Sequence, residues 1–194
     1  VAADLKVNRD SYLKMIDGLV YGEDPRQGFV ENSRFYHPEM KFTFEIPKDW
    51  QVVNSASQVQ MAPKDGKALM FLQLESAQTL DAAITDFVSR NKLTVEDKAS
   101  VTVNGMPAMA LYGIQTPDPQ TGGETLKLMA YFIQYNGQIY KMVGLTANAD
   151  FNIYFNNFQT SMRSFNKLTD AYKLNRQPER IKIVAAKKTA SFQQ

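Results

Sequence analysis

Val101-Thr102-Val103-Asn104-Gly105-Met106-Pro107-Ala108 and Phe132-Ile133-Gln134-Tyr135-Asn136-Gly137-Gln138-Ile139-Tyr140 decide how this chain reads. In each, two strand-like runs meet at Asn-Gly. That pair most readily takes the two positive φ angles of a primed two-residue turn. A third signal, Lys64-Asp65-Gly66-Lys67, precedes the apolar run Ala68 to Leu74. Such turns join adjacent strands of opposite direction, so they predict an antiparallel sheet.

Outward from these turns, the strands expected are 94–103, 107–115, 124–135 and 138–146. Shorter ones are expected at 51–53 and 57–62. Phe42, Phe44 and Ile46 alternate with Lys41, Thr43 and Glu45, which predicts a strand with one buried side. Two helices interrupt the strands. Thr79 caps one over 79–91, with Leu80, Ile84, Phe87 and Val88 as its apolar stripe. Asp150 is expected to cap the other, over 150–165, where Phe151, Tyr154, Phe155, Phe158, Met162 and Phe165 recur at helical spacing. A third, over 8–17, would end at Gly18. The strands and helices do not alternate as a parallel sheet requires. The fold class expected is α+β: an antiparallel sheet of about six or seven strands with packed helices.

Composition removes several kinds of chemistry. The 194 residues hold no cysteine and one histidine, His37. Disulfides, thiolate nucleophiles, HExxH and histidine-rich metal sites are therefore outside the reach of these residues alone. No apolar run approaches the roughly 18 residues of a membrane span, so no transmembrane segment is expected. The net charge of +2 is uneven: residues 167–194 carry seven basic and two acidic side chains. This basic run lacks the aromatic platforms of a nucleic-acid surface, and no nucleic-acid partner is expected.

Candidate reactive groups are sparse. Ser11 and Lys14 match SxxK, which would make a cryptic hydrolase, but its companion motifs SDN and KTG are missing. The pattern reads as an exposed helix face. Glu23-Asp24, Glu96-Asp97 and Asp81 with Asp86 are spaced to diverge, not to share a substrate. Gly122-Gly123 lacks the lysine and following helix of a phosphate loop. No catalytic residue is assigned. His37 reads as a hydrogen-bonded structural residue.

Two longer patterns remain. One is Gly22-Glu23-Asp24-Pro25-Arg26-Gln27-Gly28-Phe29-Val30. The other is Arg34-Phe35-Tyr36-His37-Pro38, continuing to Asp49-Trp50. Together they resemble the region just after the catalytic domain of bacterial zinc metallopeptidases of the CAAX-prenyl-protease type. Residues 41–166 resemble a PsbP-like α/β/α domain, and 178–194 the opening of a LysM-like module, so the likeness covers nearly the whole chain. It implies three parts: a helix and extended connector over 1–40, a PsbP-like domain over 41–168, and a basic linker with a truncated LysM-like start over 169–194.

The likeness implies a non-catalytic accessory domain in the periplasm or cell envelope, with client or assembly-factor proteins as partners. Zinc would be held by the missing N-terminal catalytic domain, since HExxH is absent here; no cofactor is expected in these residues. It also makes His37 a candidate gating ligand to that zinc. Val1-Ala2-Ala3-Asp4 has neither an initiator Met nor the features of an export signal, so a piece of a longer protein is expected. The rival expectation is a free-standing PsbP-like binding module with a cleft between the sheet and the 79–91 helix.

Overall fold

The computed structural model describes residues 24–117, 120 and 122–178. The expected helix over 8–17, the Ser11 and Lys14 pair, Gly22 and the LysM-like start after residue 178 lie outside them.

The strands form two antiparallel sheets. The larger has seven: β4 (Gln51–Asn54), β5 (Val59–Ala62), β6 (Ala68–Glu75), β7 (Thr94–Val103), β8 (Met106–Gln115), β9 (Leu126–Tyr135) and β10 (Gln138–Ala147). Their spatial order is β4-β5-β6-β10-β9-β8-β7. The smaller has β1 (Phe29–Glu31), β2 (Arg34–His37), β3 (Phe42–Glu45) and the two-residue β11 (Asn166–Lys167), in the order β1-β2-β3-β11. The helices are α1 (Leu80–Arg90), α2 (Phe151–Arg163) and the short α3 (Ala171–Leu174).

The α+β class holds, with one refinement: the strand at Phe42 belongs to a separate small sheet. That sheet begins inside the segment read as a connector. Asn32 and Ser33 both take positive φ, 51° and 56°, and turn β1 back as β2, which pairs with β3. No glycine marks this turn. β3 is buried on both sides, because Thr43 Oγ1 donates to the Phe35 carbonyl at 2.8 Å inside the protein.

The two Asn-Gly turns form as expected, at φ 46° and 82° for Asn104-Gly105 and 49° and 72° for Asn136-Gly137. The Asp65-Gly66 turn differs. Only Gly66 has positive φ, and five residues separate β5 from β6. Asp65 Oδ1 instead accepts from the Lys67 amide at 3.1 Å.

Each face of the large sheet carries its own apolar layer. On one, α1 lays Ala83, Ile84 and Phe87 over Leu111, Ala130, Phe132 and Val143. Thr79 Oγ1 caps this helix at the Ala82 amide. The cleft once expected here is therefore filled. On the other face, Phe158 and Met162 of α2 join Phe35, Phe42 and Phe44 of the small sheet over Met129, Ile133 and Met142. Asp150 does not cap α2 with its side chain. The chain coils first through a 3₁₀ turn at Asn148–Asp150, so Asp150 is already helical at φ −94°, ψ −5°. The far end of α2 is tied by Asn104, whose side-chain amide donates to the carbonyls of Arg163 and Phe165.

One outer edge of the large sheet is β7, exposed along most of its length. Its register slips between Val95 and Asp97, beside the charged run Glu96-Asp97-Lys98. The other outer edge is β4.

Candidate functional site

The two halves of the 24–38 pattern fold against each other. Asp24 caps a 3₁₀ turn over Pro25–Gln27, its carboxylate accepting from the Arg26 amide at 3.0 Å and from the Arg26 guanidinium. Gly28 follows at φ 122°, a conformation that side chains resist. It also touches Phe35: a Cβ on Gly28 would stand 2.4 Å from the tip of that ring. Gln27 Nε2 donates to Glu39 at 2.5 Å, and the Glu39 amide donates to the Arg26 carbonyl at 3.3 Å. Arg34, at the start of β2, points elsewhere and pairs with Glu45 at 2.5 Å.

His37 ends β2. Pro38 opens a turn that the Lys41 amide closes on the His37 carbonyl at 2.8 Å. The imidazole is only 9% exposed and packs against Phe35 and Phe42. Its Nδ1 accepts from the Met40 amide at 3.2 Å. Burial pushes its pKa below the ordinary imidazole value, against a smaller upward pull from Glu39. The ring is therefore neutral at pH 7. With Nδ1 accepting, its proton sits on Nε2, which is then a donor.

These residues surround a groove of about 820 Å³, lined among others by Gln27, His37, Glu39, Asn54, Asn136 and Gln138. Asn54 Nδ2 donates to the Gln27 carbonyl at 3.1 Å, tying the end of β4 to the 3₁₀ turn. A second groove of about 540 Å³ shares Gly28 and Asn54 and runs between β1 and β4, past Phe29, Val52 and Val53. The site thus gathers Asp24, Pro25, Gln27, Gly28, Phe35, His37 and Pro38 in one region. Sequence reading missed Asn54, Asn136 and Gln138. Asn136 was read only as a turn residue, and Asn54 and Gln138 carry no local signal at all.

The other candidates do not converge. Glu96 pairs with Lys127 at 2.7 Å, while Asp97 accepts from the Lys98 amide. Asp86 pairs with Arg90 at 2.6 Å. In the basic run, Lys173 and Arg176 both reach Glu31, and the Arg176 guanidinium lies 4.3 Å from the Phe29 ring centre. Among the described residues no three His, Asp or Glu side chains gather as a metal site requires. No described helix is long and apolar enough to cross a membrane.

No protein-family model and no curated protein matches the chain. Solved structures do. The solution structure of cyanobacterial PsbP (CyanoP) from Synechocystis sp. PCC 6803 aligns with a TM-score of 0.55 at 16% identity, covering 72% of this chain and 96% of that one. The Saccharomyces cerevisiae Ran-binding protein Mog1p aligns with a TM-score of 0.53 at 10% identity, covering 75% and 99%. The fold is therefore PsbP-like.

Proposed function

We propose that these residues form a non-catalytic accessory domain that binds client or assembly-factor proteins for a bacterial zinc metallopeptidase of the CAAX-prenyl-protease type. One observation carries this reading. The two pattern halves that resemble the junction after such a catalytic domain, 24–28 and 34–38, pack together as one wall of a groove. Protein partners also fit the likeness to Mog1p, which is itself a Ran-binding protein.

In this reading the zinc belongs to an N-terminal catalytic domain, since the described residues offer no ligand cluster. A LysM-like module follows residue 178, and the protein works in the periplasm or cell envelope. We assign His37 to the groove and not to the zinc. A metal needs the Nε2 lone pair, and the bond from Met40 leaves the proton on that nitrogen.

The coding sequence upstream of Val1 is the test. The expected result is an HExxH motif there, stoichiometric zinc in the full-length protein, and no zinc in residues 1–194 alone. An upstream sequence without HExxH overturns the protease parent. The reading then left is a free-standing PsbP-like binding module.

A further inference from the structure

We propose that the groove at His37 binds an extended peptide segment of a partner protein through its main chain, with the His37 Nε2–H as a fixed donor to a peptide carbonyl. This deepens the binding reading above and does not depend on a protease parent.

The donor comes first. His37 is nine-tenths buried, and its ring is held by Phe35, Phe42 and the Met40 amide. Its orientation is therefore set before any ligand arrives. The one hydrogen bond of the ring among the described residues is at Nδ1, so Nε2 is an open atom and not a buried unpaired one, and the imidazole lines the groove. An open, neutral donor on an otherwise buried side chain favours a ligand that brings an acceptor oxygen.

The rest of the lining narrows the class. Gln27, Asn54, Asn136 and Gln138 are primary amides; Gln27 and Asn54 each spend one amide hydrogen within the protein and Gln138 Oε1 accepts from Tyr140, and the second N–H of each amide and the remaining oxygen lone pairs are the kinds of donor and acceptor that a peptide main chain matches. The two carboxylates are already engaged, Asp24 by Arg26 and Glu39 by Gln27, and Lys41 is a third charged residue of the lining. The groove is thus close to charge-balanced and suits a neutral backbone better than a free anion.

The shape points to an extended ligand. Among the described residues β4 pairs with β5 on one side only and has no strand on its other main-chain edge. The His37 groove reaches the end of β4 at Asn54, and the second groove, which shares Gly28 and Asn54 with it, runs past Val52 and Val53. Val53 and Val30, 62% and 48% exposed, flank that continuation. A strand added along β4 would satisfy the open edge and lay alternate side chains against these valines.

The single histidine makes the test clean. The 194-residue chain, ¹⁵N-labelled at histidine, is titrated with a pool of acetylated, amidated nonapeptides randomised at every position, and separately with sodium acetate. The expected result is a saturating shift of the His37 Nε2 resonance with peptide and none with acetate. His37→Phe, which keeps an aromatic ring in the Phe35–Phe42 pocket, should weaken peptide binding about tenfold. Gln138→Ala, on an exposed side chain, should weaken it by a smaller factor with the fold intact. An equal response to acetate, no response to peptide, or unchanged affinity in both variants would overturn the proposal. Peptide binding without an upstream HExxH leaves this inference standing and removes the protease parent; the reverse pair of results does the opposite.

Discussion

The Phe158 ring sits where a side chain on Gly144 would begin: a Cβ built on Gly144 would stand 2.4 Å from Phe158 Cδ1. Gly144 lies mid-strand in β10, and Phe158 is fully buried on α2. This contact sets how closely α2 approaches the large sheet.

Gly144→Ala should therefore overpack a site with no slack, costing about 1–3 kcal/mol. Phe158→Ala should cost more, about 3–5 kcal/mol, through lost burial and the cavity left behind. Urea unfolding of both variants measures the difference. A Gly144→Ala protein as stable as the parent would mean that α2 can move outward freely.

Gly28→Ala should act locally. Its φ of 122° and the Phe35 ring 2.4 Å from the added Cβ both oppose the substitution. The 3₁₀ turn at Pro25–Gln27 should lift away while the large sheet stays folded. Hydrogen exchange should rise over 26–29 and stay unchanged over β8, β9 and β10. Faster exchange spread through those three strands would contradict this.

Acid should weaken the fold through His37. Its folded pKa is lowered by burial, so below the ordinary value of 6.5 the unfolded chain takes up a proton that the folded chain resists. Stability is full above that value and falls as pH drops toward the folded pKa. At the alkaline end, burial pushes Tyr140 up to about 12 from 10.0, so stability falls as pH rises between those values. Unfolding free energy measured across pH should show both slopes, and His37→Phe should flatten only the acid one.

Glu31 holds the segment after β11. Lys173 and Arg176 both bind it, and Lys173 also lies 5.3 Å from the centre of the Tyr36 ring. Glu31→Gln should loosen 171–177, seen as faster hydrogen exchange that high salt reproduces in the parent chain. Global stability should change by less than about 1 kcal/mol, because the pair is partly exposed.

The legible parts of this fold are those set by neighbours in sequence. Asn104-Gly105 and Asn136-Gly137 form their turns because the residues there tolerate the required φ angles. Thr79 caps α1 because the amide it needs is three residues away. Features set across the chain were not legible. Thr43 is buried because Phe35 offers its carbonyl, and β6 pairs with β10 although about 70 residues separate Leu72 from Met142. The same division runs through the site. Gly28 and His37 stood out in the sequence, but the reason Gly28 must be glycine is the ring of Phe35. The amides that line the groove with His37 come from the 3₁₀ turn, the end of β4, the β9–β10 turn and the start of β10.

The two outer edges of the large sheet are unlike. The slipped register at Val95–Asp97 and the charges beside it make the first half of β7 a poor template, while β4 has no outer strand among the described residues and lies beside a groove. Open-ended stacking of copies into a fibril needs two compatible edges. A sheet with one blunted end and one receptive end takes a single added strand and then stops, so a peptide laid along β4 as proposed above would end the sheet and not seed its growth.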